Sequence, residues 1–164
     1  MGLKLFSAVA HNLEAYGRML ENIRKGVTPF LCVGLAAVHK ANFIAAASED
    51  LPGPLLVLCQ DDIAAARMAA DVNAMLGEEM AAIFPSRDFT YRQTETASSE
   101  YERSRLGVLA RILQGDVKIV FTSIQAAMSR TIPADALRAR TFTVTAETSV
   151  PMEELVARLS GAGY

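Results

Sequence analysis

The sequence predicts an α/β domain, a mostly parallel sheet with helices on both faces. Three observations predict it. Short apolar runs alternate with longer amphipathic segments, the order of strand and helix in such folds. Glycine or proline closes most of these segments. Several apolar runs are continuous rather than alternating, as in strands covered on both sides. A length of 164 residues suits one domain and a short piece of a second.

The elements follow in order. Phe6, Val9, Leu13, Tyr16, Leu20 and Ile23 recur at steps of three and four, the spacing of one helix face, with Gly26 as the stop. Residues 30–33, ended by Gly34, are expected to be a buried strand, followed by a helix over 40–48. Pro52-Gly53-Pro54 is a turn, and Leu55–Cys59 is a second buried strand. Asp61 and Asp62 open a helix that runs to Leu76, and Gly77 closes it.

Residues 80–84 are a third strand ending at Pro85, and the polar, aperiodic residues 86–97 are a loop. Ser99-Glu100-Tyr101-Glu102 has the form of a capping box. The helix it starts is expected to bury Leu106, Leu109, Ile112 and Leu113 and to stop at Gly115. Residues 117–121 are a fourth strand, with short helices near 124–130 and 133–139. Residues 141–145 alternate as an exposed edge strand would, and 151–159 form a last helix. The change of character at Thr141 divides the chain into an α/β domain over 1–140 and the beginning of a second small α+β domain over 141–164.

Composition excludes several functions. Apolar residues make up 51% of the chain and charged residues 21%, enough to build a real core. A net charge of -2 argues against stand-alone binding to nucleic acid, which favours basic domains. Cys32 and Cys59 lie in apolar runs and read as buried free thiols, which suits a reducing, cytoplasmic compartment. His11 and His39 are too few to build a zinc site, so no metal is expected. Glu14 and Arg18 interrupt the amphipathic N-terminus, which is therefore not a signal peptide. Phe6 stands where the myristoylation pattern requires Ser or Thr. His39, Lys40 and Asn42 break the most apolar stretch, which rules out a membrane span there.

The chemistry-bearing candidate is the segment Gly34-Leu35-Ala36-Ala37-Val38-His39-Lys40-Ala41. A strand, a glycine, a loop and a helix opening with lysine is the plan of a phosphate-binding loop, G-x-x-x-x-G-K-[ST]. Gly34 and Lys40 fit it, whereas His39 replaces the second glycine and Ala41 the Mg²⁺-binding hydroxyl. The histidine adds bulk where backbone N–H groups should wrap a phosphate, and alanine cannot ligate a metal. Gly34 and Lys40 therefore read as a P-loop remnant, with no catalytic residue and no cofactor expected.

The other acids have helical explanations. Asp61 and Asp62 stand where the next helix needs its N-cap, and Glu153 and Glu154 fit the first turn of the last helix. Cys32 with His39 reads as an inert strand cysteine rather than a thiol–imidazole pair. Arg103, Arg105 and Arg111 read as a solvated helix face. Neither a G-x-S-x-G elbow nor a G-x-G-x-x-G fingerprint occurs.

The order and spacing of these pieces resemble a known family. Residues 34–47 (GLAAVHKANFIAAA), 55–76, Phe84-Pro85, 102–115 (ERSRLGVLARILQG), 118–130 (KIVFTSIQAAMSR) and 155–164 (LVARLSGAGY) are similar to the N-terminal region of bacterial transcription-repair coupling factors. That region is itself similar to the front of the B component of the excision nuclease. The resemblance implies a RecA-like, helicase-type fold with a degenerate P-loop. It implies a non-catalytic module that recruits the A component of the excision nuclease in transcription-coupled nucleotide-excision repair. The same module would hold the translocase in a repressed state through contacts within the protein. RNA polymerase and DNA would be met only through downstream domains, and ATP and Mg²⁺ only by a motor outside this sequence. Contacts to the nuclease's A component fall mainly in the family's second domain, so no partner-binding residue is named. The alternative is a stand-alone P-loop nucleotide enzyme in which Lys40 contacts phosphate and Asp61 or Asp62 holds Mg²⁺.

Overall fold

The computed structural model describes residues 5–86, 95–145 and 149–162, in two compact units, Met1–Ser129 and Arg130–Tyr164. In the first unit the N-terminal periodicity yields two helices, α1 (Leu5–His11) and α2 (Glu14–Arg24), rather than the single one expected. The chain turns at Leu13, whose backbone is extended. The turn lets Ala10, Tyr16 and Leu20 all pack around Ala46 and Phe43 of α3 (Ala37–Asp50). A straight helix could not wrap its stripe around a neighbour in this way.

The expected strand over 30–33 does not form. The segment between α2 and α3 has no regular structure, Leu31 is 85% exposed, and Cys32 is exposed rather than buried. Apolar β-formers become a strand only when another strand supplies ladder partners, and among the described residues none lies beside this run. The sheet therefore has three described strands: β1 (Leu55–Cys59), β2 (Ala81–Phe84) and β3 (Ile119–Ser123). All are parallel in the order β1-β3-β2, with Phe121 opposite both Val57 and Ile83.

Between these strands run α4 (Asp62–Leu76) and α5 (Glu95–Gln114), and α6 (Ile124–Ala127) follows β3. Gly77 closes α4 at φ 74, a left-handed cap that glycine adopts without strain. The helices cover both faces. Ile119, Phe121 and Ala81 pack on α3 and α4, where Ala41, Ala45, Ala65 and Ala69 let the helices approach closely. On the other face Val120, Ala82 and Phe84 meet Val108, Leu109 and Ile112 of α5. Burying both faces of β3 makes it the centre of the core. Leu56 and Leu58 of β1 remain exposed on their side of the sheet.

Asn73 of α4 supports the start of β2, donating to the Ala81 carbonyl at 2.9 Å and accepting from its N–H at 2.8 Å. The capping box at Ser99 is not a helix start, because α5 already begins at Glu95. Of the expected loop, 87–94 lie outside the described residues and 95–97 are helical. The buried face of α5 is also rotated from the one expected. Arg105 and Val108 are buried, while Leu106 is exposed.

The second unit pairs α7 (Ala134–Arg140) with α8 (Met152–Ala162), and Leu137 is buried. Residues 141–145 are not a strand. Thr141 instead donates its hydroxyl to the Leu137 carbonyl at 2.8 Å, and Phe142 lies beneath the Arg158 guanidinium, 5.6 Å from its ring centre. These local bonds hold the chain against α7 and α8. The expected domain boundary at Thr141 falls inside this unit. No described helix is long and apolar enough to cross a membrane.

Candidate functional site

The phosphate-loop residues do not converge. Gly34 has a positive φ of 81, but no strand leads into it and open space surrounds its Cα. Lys40 is the fourth residue of α3 and is exposed, with its N–H bonded to the Ala36 carbonyl at 3.0 Å. His39 is exposed beside it. Ala41, at the position of the metal-binding hydroxyl, is wholly buried in the core shared by α3 and α4. A side chain there faces protein, not a bound phosphate.

The two aspartates after β1 divide their work. Asp61 is the N-cap of α4 and accepts from the Ala64 N–H at 2.7 Å. That satisfies one of the donors a helix start leaves free. Asp62 turns to the carboxyl end of β2. Its Oδ2 accepts from the Ser86 N–H and from the Ser86 hydroxyl, both at 2.7 Å. Burial opposes its charge, but the Ser123 and Ser86 side chains and the Ser86 N–H outweigh it and hold the carboxyl below its ordinary range.

From the other side comes Arg105. It is only 5% exposed and does not belong to the solvated face expected for it. Its Nη1 donates to the Pro85 carbonyl at 2.9 Å and to the Tyr101 hydroxyl at 2.8 Å. Its guanidinium lies 3.9 Å above the Phe84 ring centre, a cation–π contact. Asp62 and Arg105 thus bind the two ends of one peptide group, Pro85–Ser86, at the carboxyl end of β2, the rim where open α/β sheets bind ligands. Thr122, also at this rim, donates to the Phe84 carbonyl at 2.9 Å. One signal in the sequence could have revealed Arg105. Tyr101, Arg105, Val108 and Ile112 follow helical spacing, so the arginine lies on the apolar stripe.

A second polar cluster ties the N-terminal helices to α3. Asp50 Oδ2 accepts from the Tyr16 hydroxyl at 2.6 Å and meets His11 Nε2 at 2.8 Å. Burial, followed by the Asp50 hydrogen bond, drives the Tyr16 phenol far above its ordinary value. Burial works against the Asp50 charge, but Tyr16 and His11 prevail and lower its carboxyl.

The other candidates stay apart. Burial, then Asp61, pushes the Cys59 thiol up, away from the reactive thiolate. Arg103 is exposed, and Arg111 reaches the Glu79 carbonyl at 3.0 Å. Glu153 and Glu154 lie in the first turn of α8, as their sequence position suggests, and Glu154 pairs with Arg158. Among the described residues, no group of three His, Cys, Asp or Glu could hold a metal ion.

No family model matches the chain, and no solved structure does. Among curated proteins the chain is similar to the transcription-repair-coupling factor of Bacillus subtilis (strain 168), with 19% identity over 151 residues. That alignment takes in 92% of this chain and 13% of the relative, so the chain spans a small part of that protein's length.

Proposed function

We propose that this chain is a non-catalytic module of a transcription-repair coupling factor, acting in transcription-coupled nucleotide-excision repair. The alignment along 92% of the chain carries this reading. In it, the parallel sheet is part of a RecA-like sheet that has lost its nucleotide site. Lys40 is then an ordinary surface residue, and Ala41 serves the α3–α4 contact. The module recruits the A component of the excision nuclease and helps hold the translocase in a repressed state. Any ATP use belongs to a motor outside this sequence.

Two titrations of the purified chain test the reading. Calorimetry with ATP and Mg²⁺ is expected to give no heat of binding at millimolar nucleotide. The purified A component of the excision nuclease is expected to bind in the same instrument. Tight Mg²⁺-dependent ATP binding that is lost in Lys40→Ala would overturn the non-catalytic assignment. Absence of any complex between this chain and the A component would remove the recruiting role.

A further inference from the structure

We propose that Arg105 is an oxyanion-binding residue, taking a carboxylate or phosphate oxygen on its outer nitrogen Nη2 at the carboxyl end of β2. The proposal rests on the geometry of the strand ends and is independent of the functional reading above. Arg105 is a charge almost wholly withdrawn from water. Among the described residues no carboxylate forms an ion pair with it. Nη1 is spent on two neutral acceptors, the Pro85 carbonyl and the Tyr101 hydroxyl. Nη2 is buried and has no hydrogen-bond partner.

A guanidinium has donors only, so the missing partner must be an acceptor. Leaving a buried cation without its counter-charge is strongly unfavourable, and an oxyanion supplies both the charge and the acceptor. Asp62 does not fill this role. It binds the Ser86 N–H, whereas Arg105 binds the Pro85 carbonyl, and these two groups of one trans peptide point in opposite directions. Phe84 beneath the guanidinium and Tyr101 beside it fix the plane of the fork, so Nη2 is aimed before any ligand arrives.

The test is side-chain ¹⁵N NMR of the arginines in the full chain, titrated with sodium phosphate and, separately, sodium acetate against chloride at constant ionic strength. The Arg105 signals are expected to shift saturably, and in Arg105→Met the anion-induced shift of the Ser86 backbone amide is expected to need about tenfold or more anion, the size of one charge-assisted bond. A response to phosphate alone assigns a phosphate-bearing ligand. A response to acetate alone assigns a carboxylate group, such as an acidic side chain of a partner. Either supports the proposal. Unmoved Arg105 signals with both anions overturn it, as does equal affinity in a folded Arg105→Met. If that variant does not fold, the NMR titration of the unaltered protein decides alone.

Discussion

Asp62 and Arg105, 43 positions apart in the chain, hold a single peptide group from its two ends. Asp62 accepts from the Ser86 N–H at 2.7 Å, and Arg105 donates to the Pro85 carbonyl at 2.9 Å. The exit of β2 is therefore fastened both to the start of α4 and to the middle of α5. A backbone group at a strand end has no ladder partner, and two charged side chains replace the missing bonds.

Asp62→Ala is expected to cost about 1–3 kcal/mol in urea denaturation, because it leaves the Ser86 N–H and hydroxyl without their acceptor. The loss should depend on pH. The folded-state pKa of Asp62 lies below its ordinary 3.8, so its contribution is complete above that value and disappears as the pH falls through the lower folded value. Acid titrations of the two proteins should converge below that point. Parallel curves down to the lowest pH would deny Asp62 an ionised role.

The neighbouring aspartate gives a different prediction. Asp61→Asn should leave stability within about 0.5 kcal/mol, since asparagine caps helices as well as aspartate does. Asp61→Ala should cost about 1 kcal/mol by loss of the bond to the Ala64 N–H. A metal ligand would show another pattern, with Asp61→Asn as damaging as Asp61→Ala and the defect dependent on Mg²⁺. Thermal melts with and without Mg²⁺ separate the two.

Local chemistry made much of the fold legible, and tertiary contacts decided the rest. Helix α4 was readable to its last residue because Asp61 and Gly77 are signals that act on their own neighbours. The runs that became β1, β2 and β3 were readable because each is short, apolar and bounded. The run over 30–33 has the same composition, yet stays unpaired, and composition does not tell whether a partner strand will be near. The break at Leu13 leaves the helical spacing uninterrupted, so periodicity could not reveal it. At the site, Asp61 was legible as a cap, and Asp62 was the surplus acid that one cap does not need. Its contact with Ser86 depends on β2 lying beside α4 and could not be read from neighbours in sequence.

Core substitutions should follow the two-sided burial of β3. Phe121 is completely buried, and Phe121→Ala should cost about 3–5 kcal/mol, measured as a fall in the urea midpoint. Leu56 is 65% exposed on the uncovered side of β1, and Leu56→Ala should change stability by no more than about 0.5 kcal/mol. Comparable losses at both positions would mean that the exposed side of β1 is covered in solution.

Tyr16 supplies the last prediction. Its hydroxyl is bonded to Asp50 and its ring is enclosed between His11 and Phe43, at 5.4 Å from each ring centre. Burial and the nearby carboxylate both disfavour the phenolate, so the folded pKa is raised. A raised acid pKa contributes stability that is complete below the ordinary value of 10.0 and is lost as the pH climbs toward the folded value. Spectrophotometric titration of the four tyrosines should therefore show one that ionises only as the protein unfolds in alkali. In Tyr16→Phe that late component should vanish, and the protein should lose about 1 kcal/mol at neutral pH for the missing hydrogen bond. If the late component persists in Tyr16→Phe, it belongs to another tyrosine, and the link from Asp50 to α2 is looser than the 2.6 Å contact implies.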